Sequence, residues 1–177
     1  EFLGIVSTLQ NRIFSMSLVH EKLYHYKHFS KINFSEYIKE LTAEIRKMFC
    51  GEEADDFIAV NLHADSVYLS IEKAVPSGLI LNELITNSFK HAFRKRGEGV
   101  IDISFTMSDN EDYLLCVRDN GSGLPPGFDI MNAESTGMIL IRELVSQIHG
   151  RLEIKSEGGA EFKILFGKPE EGFEAPA

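Results

Sequence analysis

Apolar residues in the first part of the chain recur at intervals of three and four: Phe2, Ile5, Leu9, Ile13, Met16, Val19 and Leu23 fall along one helical face. The pattern lapses between Ser30 and Ser35, where Asn33 or Ser35 is placed to cap a second helix with Ile38, Leu41, Ile45 and Met48 on its buried side. A long apolar stripe that starts at residue 1 needs a partner to cover it, so the chain reads as a piece of something longer. From Gly51 the periodicity changes to mixed α/β. Phe57–Leu62 predicts a strand and Ser66–Ile71 a turn with a short extended segment. A helix is expected over Val75–Lys95, with Pro76 in its first turn. Alternation predicts strands around Ile101–Met107 and Leu115–Val117, joined by a polar hairpin at Ser108–Asp112. Another helix is expected over Met138–His149. It leads through Gly150 to strands Arg151–Lys155 and Glu161–Phe166, turned by Gly158-Gly159. Helices among antiparallel-capable strands predict an α+β domain, a two-layer α/β sandwich.

Composition narrows the class. Of 177 residues, 44% are apolar and 25% charged, values of an ordinary globular domain rather than a disordered polymer. The net charge of −9 argues against a nucleic-acid partner, and a polyanionic ligand would need a local cation or a metal ion. No apolar run reaches the roughly 18–20 residues of a membrane span, and no signal peptide opens the chain, so a cytoplasmic setting without membrane contact is expected. Cys50 and Cys116 each sit among apolar residues and read as buried thiols of a reducing compartment. His20, His25 and His28 lie in or just beyond the first helix. His20-Glu21 has the look of a phosphoacceptor, but the preferred reading is three helix-surface histidines.

Four segments carry candidate chemistry. In the helix 75–95, Glu83, Asn87, Lys90, His91 and Arg94 make one polar stripe opposite Leu81, Ile85, Phe89 and Ala92, which should face the sheet. Such a stripe is ordinarily the wet side of an amphipathic helix. Here its centre is an asparagine with a carboxylate one turn before it and a lysine one turn after, oxygen ligands for a hard divalent ion beside a cation for phosphate. Asp119-Asn120-Gly121-Ser122-Gly123 follows a strand directly, so a carboxylate stands at the strand end before a sharply turning backbone. Ser135-Thr136-Gly137 opens a helix, where a cap and exposed amides favour phosphate, and Pro125–Glu134 between these two is a candidate movable cover. Gly158-Gly159-Ala160-Glu161-Phe162 is by itself an ordinary hairpin turn.

Taken in order, these segments resemble the ATP-binding (GHKL, Bergerat-type) domain shared by histidine kinases, gyrase-type topoisomerases, the Hsp90 chaperone and the MutL repair proteins. Asn82–Ala92 is similar to a histidine-kinase N box, Asp119–Gly123 to its G1 box, and Ser135–Gly137 to the single-glycine G2 box of one sensor-kinase subfamily. Asn11–Tyr24 resembles the second dimerisation helix of that subfamily, the HisKA_2 type. The resemblance implies three parts: residues 1–50 from a helical dimerisation and phosphotransfer region, 51–168 as the ATP-binding catalytic domain, and 169–177 as a disordered tail. It further implies that Asn87 ligates Mg2+ on ATP with Glu83 close to the metal and the reacting phosphate. Lys90 and His91 would contact phosphate, and Asp119 would accept from the adenine amino group. Gly121 and Gly123 would hinge the lid, and Thr136 and Gly137 would admit the phosphates. Ala160 departs from the threonine common in the family and implies somewhat weaker adenine binding. The implied activity is transfer of the ATP γ-phosphate to a histidine, and onward to a response-regulator receiver aspartate, in a homodimer when intact. The acceptor histidine is expected on a helix preceding residue 1, so this chain should bind ATP without phosphorylating itself. Two other readings are a degenerate nucleotide-binding regulatory module and an anti-sigma-type serine kinase; the long leading helices count against the latter.

Overall fold

The computed structural model describes residues 31–50, 58–93, 98–107 and 112–167, together with helical positions 13 and 17. A short strand β1 (Lys31–Asn33) runs into helix α1 (Phe34–Cys50). The Asn33 side chain accepts from the Ser35 hydroxyl at 2.8 Å and the Glu36 amide at 3.4 Å, the capping expected at this boundary. Strand β2 (Ile58–Ala64) is followed by β3 (Tyr68–Ser70), helix α2 (Ile71–Asn87) and a π-helical turn over Ser88–Ala92. Then come β4 (Gly99–Met107), β5 (Tyr113–Asp119), a 3-10 turn (Ile130–Asn132), helix α3 (Thr136–Gln147), β6 (Arg151–Lys155) and β7 (Glu161–Phe166).

The five-stranded sheet has the order β2-β4-β5-β7-β6. Only the β2–β4 pair is parallel, because α2 intervenes as a crossover; the other neighbours are antiparallel. On one face Ile101, Ile103, Phe105, Leu115, Val117, Phe162, Ile164 and Phe166 form a continuous core with the helices. Phe105 joins the layers, meeting Phe34 edge-on at 4.9 Å between ring centroids. The architecture is the two-layer α/β sandwich expected from the alternation.

Several local expectations need correction. β1 pairs with β3 as a separate two-stranded sheet, Ile32 opposite Leu69, which three-residue strands are too short to announce by alternation. Helix α2 starts at Ile71, directly from β3, so Pro76 lies inside it rather than in its first turn. Met48 is 49% exposed, off the buried side of α1. Phe89 packs against the core and also stacks on Phe49 of α1, with 5.1 Å between ring centroids. Cys116 is half-buried on the outer sheet face, across from Ser104 and Lys163, and not in the apolar core; burial pushes its thiol pKa up. His20, His25, His28, Phe57, Arg94, the hairpin at 108–111 and the tail from 168 lie outside the described residues. Among those described, no helix is long and apolar enough to cross a membrane.

Candidate nucleotide site

Helix α2 packs against α1 on one side, α3 on another and β5 below, and everything from Pro76 to Thr86 is buried. A helix covered all round has no wet stripe. Glu83 is accordingly only 5% exposed, which removes the wet-face reading of the stripe at this position. The α-helical ladder stops at Asn87 and the next five residues wind as a π turn. Lys90 and His91 therefore do not continue the α-helical register of Glu83 and Asn87. In the π turn Lys90 is half-buried and His91 exposed. Such widened turns recur at functional sites because they re-aim side chains relative to the helix before them.

Gly137 sits one residue into α3 and faces α2. A Cβ built on it would stand 2.9 Å from Glu83 Oε2 and 3.9 Å from Asn87 Nδ2. Glycine here lets the start of α3 close on the carboxylate, where a Cβ would require the end of the Glu83 side chain to shift; the carboxamide lies at ordinary contact distance. Ser135 is the cap, its hydroxyl accepting from the Met138 amide at 3.4 Å, and Thr136 is exposed as the first helical residue.

Asp119 ends β5 on the core side, 5% exposed, and accepts three hydrogen bonds. Its Oδ1 takes the Gly121 amide at 3.0 Å and the Ala160 amide at 3.2 Å, and its Oδ2 takes the Ser88 hydroxyl at 3.0 Å. The Asp119 amide in turn donates to the Ala160 carbonyl at 2.9 Å. Gly121 is pressed against the end of the π turn, where a Cβ would meet Ala92 Cβ and carbonyl oxygen at 2.5 Å, and the Ser122 amide bonds that carbonyl at 3.0 Å. Gly123 takes φ +71° and leads to Leu124, whose amide donates to Ser156 Oγ at 2.8 Å.

The segment Pro125–Glu134 is folded down. Phe128 N–H closes a turn on the Pro125 carbonyl, Asp129 caps the 3-10 turn, and Arg142 of α3 donates to the Met131 carbonyl at 3.0 Å. Between this segment and Leu152 and Ile154 of β6 lies a cavity of about 600 Å³.

Two residues near the site, Ser88 and Ser156, escaped the sequence reading, and the part played by Gly159 went beyond it. Ser88 looked like one more polar position on a helix. Ser156 merely precedes the Gly158-Gly159 turn. Gly159, at φ +132°, backs so closely onto β5 that a Cβ would stand 1.8 Å from the Asp119 carbonyl oxygen. The signal for Gly159 was the double glycine itself, whereas nothing local marked the two serines.

The chain is similar to known proteins in sequence and in fold. A profile described as histidine kinase-, DNA gyrase B-, and HSP90-like ATPase matches residues 73–170. The chain belongs to this family. A histidine-kinase profile of the HisKA_2 type matches residues 1–49. The blue-light-activated histidine kinase 2 of Erythrobacter litoralis is 33% identical over 101 residues, 57% of this chain and 29% of that protein. The sensor histidine kinase PdtaS of Mycobacterium tuberculosis is 29% identical over 147 residues, 81% of this chain and 28% of that protein. The chain thus spans under a third of the length of these relatives. In three dimensions it resembles the histidine kinase domain of the Erythrobacter litoralis EL346 blue-light activated histidine kinase, with a TM-score of 0.81 at 26% identity over 90% of this chain and 74% of that one. ATP binding is what this family's domain implies.

Proposed function

We propose that this chain is the ATP-binding, phosphoryl-donating part of a sensor histidine kinase. Residues 1–50 belong to a dimerisation region, 51–168 to the catalytic domain and 169–177 to a tail. The observation that carries the reading is the convergence at the C-terminal end of α2. Gly137 closes on Glu83 and Asn87, while Ser88, the next residue, holds Asp119. Segments that are distant in the chain thereby meet around the C-terminal end of α2.

Asp119 is buried as an acceptor and suits the exocyclic amino group of adenine. Gly121 and Gly123 keep the backbone close to the base and turn the chain into the cover segment. Lys90 and His91 on the π turn, and Thr136 and Gly137 at the start of α3, suit the phosphates through charge and helix-terminal amides. The donor set also fits Mg2+. The Asn87 carboxamide and the Glu83 carboxylate are hard oxygen ligands beside a cradle kept open by Gly137. Among the described residues no three acid, histidine or cysteine side chains gather into a metal cage. That suits an ion that keeps waters and substrate phosphates as ligands. Asn87 would hold it, with Glu83 one turn earlier, and bound there it would neutralise charge on the phosphates. The chain's own residues orient the triphosphate and exclude water, which is most of what phosphoryl transfer asks of a protein.

Transfer then goes to a histidine and from there to a receiver-domain aspartate, in a cytoplasmic homodimer of the intact protein. Asn87→Ala tests the reading. Magnesium-dependent ATP affinity, measured by calorimetry, should fall at least about tenfold; unchanged affinity would remove the metal assignment. Labelled ATP should leave His20 unlabelled.

A further inference from the structure

We propose that Ser88 is a positioning residue for base selection: its hydroxyl commits one oxygen lone pair of Asp119 and aims the other at the base. The inference rests on the nucleotide reading above and deepens it.

Ser88 is 6% exposed on the first residue of the π turn, and its Oγ lies 3.0 Å from Asp119 Oδ2 and 3.2 Å from the Leu84 carbonyl oxygen. A hydroxyl has one proton. The carboxylate is the stronger acceptor and the nearer one, so the proton goes to Asp119. Oδ1 is already saturated by the Gly121 and Ala160 amides. The carboxylate is therefore pinned from both sides, by backbone on Oδ1 and by Ser88 on Oδ2. A single lone pair, on Oδ2, is left to meet a ligand. Next to it the Ser88 oxygen, its proton spent, also offers only lone pairs.

The pair is thus a fixed double acceptor. It matches a base that presents an amino group and repels one that presents a carbonyl at the same position. A polar site built for one hydrogen-bonding sense rejects the other strongly, because the mismatch leaves buried groups unpaired. Ala160 contributes only its backbone here, so Ser88 is the side chain that controls which way the Asp119 carboxylate is turned. Without it Oδ2 is held only indirectly, through the two amides on Oδ1, and the preference for an amino purine over an oxo purine relaxes.

The test compares ATP with ITP, which carries a carbonyl where ATP carries the amino group, by competition binding to the 177-residue chain. Ser88→Ala should lower ATP affinity about 5- to 10-fold and change ITP affinity less than twofold, so the ATP/ITP ratio falls by most of that factor. Ser88→Cys keeps the side-chain size with a poor donor and should lower the ratio similarly, which guards against a cavity effect in the alanine variant. A merely structural role would weaken both nucleotides together; an unchanged ratio in both variants overturns the inference while leaving the nucleotide reading intact. Absence of ATP binding by the unsubstituted chain overturns the reading of the site and this inference with it.

Discussion

Arg118 and Asp119 are consecutive charged residues at the end of one strand, and they live in different chemical worlds. Arg118 points to the outer face of the sheet. There Asn61, Asp102, Arg118, Glu161 and Lys155 stand opposite one another across all five strands, acidic and basic side chains alternating. Asn61 donates to Asp102 at 2.8 Å and Lys163 pairs with Glu161 at 3.2 Å, all in or near solvent. Asp119 points to the inner face and is enclosed by Ser88, Gly121 and Ala160. The outer row buys solubility and register at little energy per pair, because water screens each charge. The inner carboxylate is costly to bury unless every oxygen is occupied, which is why so much backbone is arranged around it. Strand parity, a shift of one residue, separates a solvated charge from a buried carboxylate engaged on both oxygens.

The comparison can be broken by placing the same kind of change on either side. Gly159→Ala should have the largest effect. Its Cβ would collide with the Asp119 carbonyl at a backbone angle that L residues avoid, and about 3 kcal/mol or more of stability should be lost, read as a drop in Tm of roughly 10 °C. Next comes Asp119→Asn, which replaces an acceptor-only group by one with a donor. It should weaken ATP by about 10–100-fold while sparing inorganic triphosphate, and equal loss for both would contradict a base-directed role. Gly158→Ala is the sharpening control. Gly158 also has positive φ, +65°, but no atom within 4 Å of its missing Cβ, so only conformational strain of about 1 kcal/mol should appear in denaturant melts. The smallest effect is expected for Arg118→Ala, which removes an outer-row charge. Stability should change by no more than about 1 kcal/mol and nucleotide affinity not at all; a loss of ATP binding there would erase the distinction between the faces.

Much of the fold was legible because it is written locally. The strands Arg151–Lys155 and Glu161–Phe166 and the two positive-φ glycines between them follow from alternation and turn chemistry alone. The helix after Asn33 and the one after Ser135 announce themselves by caps. The spaced motifs from Glu83 to Phe162 marked which stretches matter. Their surroundings were not legible. The depth at which Glu83 is buried did not show in the sequence, since amphipathic periodicity assumes a wet side that a helix enclosed by two others and a sheet does not have. The π turn was invisible, because Ser88–Ala92 carries no residue that forbids an α-helix.

The sequence by itself determined the alternating and helical elements, the apolar face of the sheet, and the order of the glycine and carboxylate signals along the chain. These depend on periods of two or about 3.6 residues and on the backbone freedom of single glycines. Tertiary structure alone decided that Ser88 reaches Asp119 across 31 positions, that the Ala160 amide does so across 41, and that Gly137 meets Glu83. Such contacts are set by how three helices and a twisted sheet pack together, and no local period encodes the distance between two side chains that meet only after the layers close.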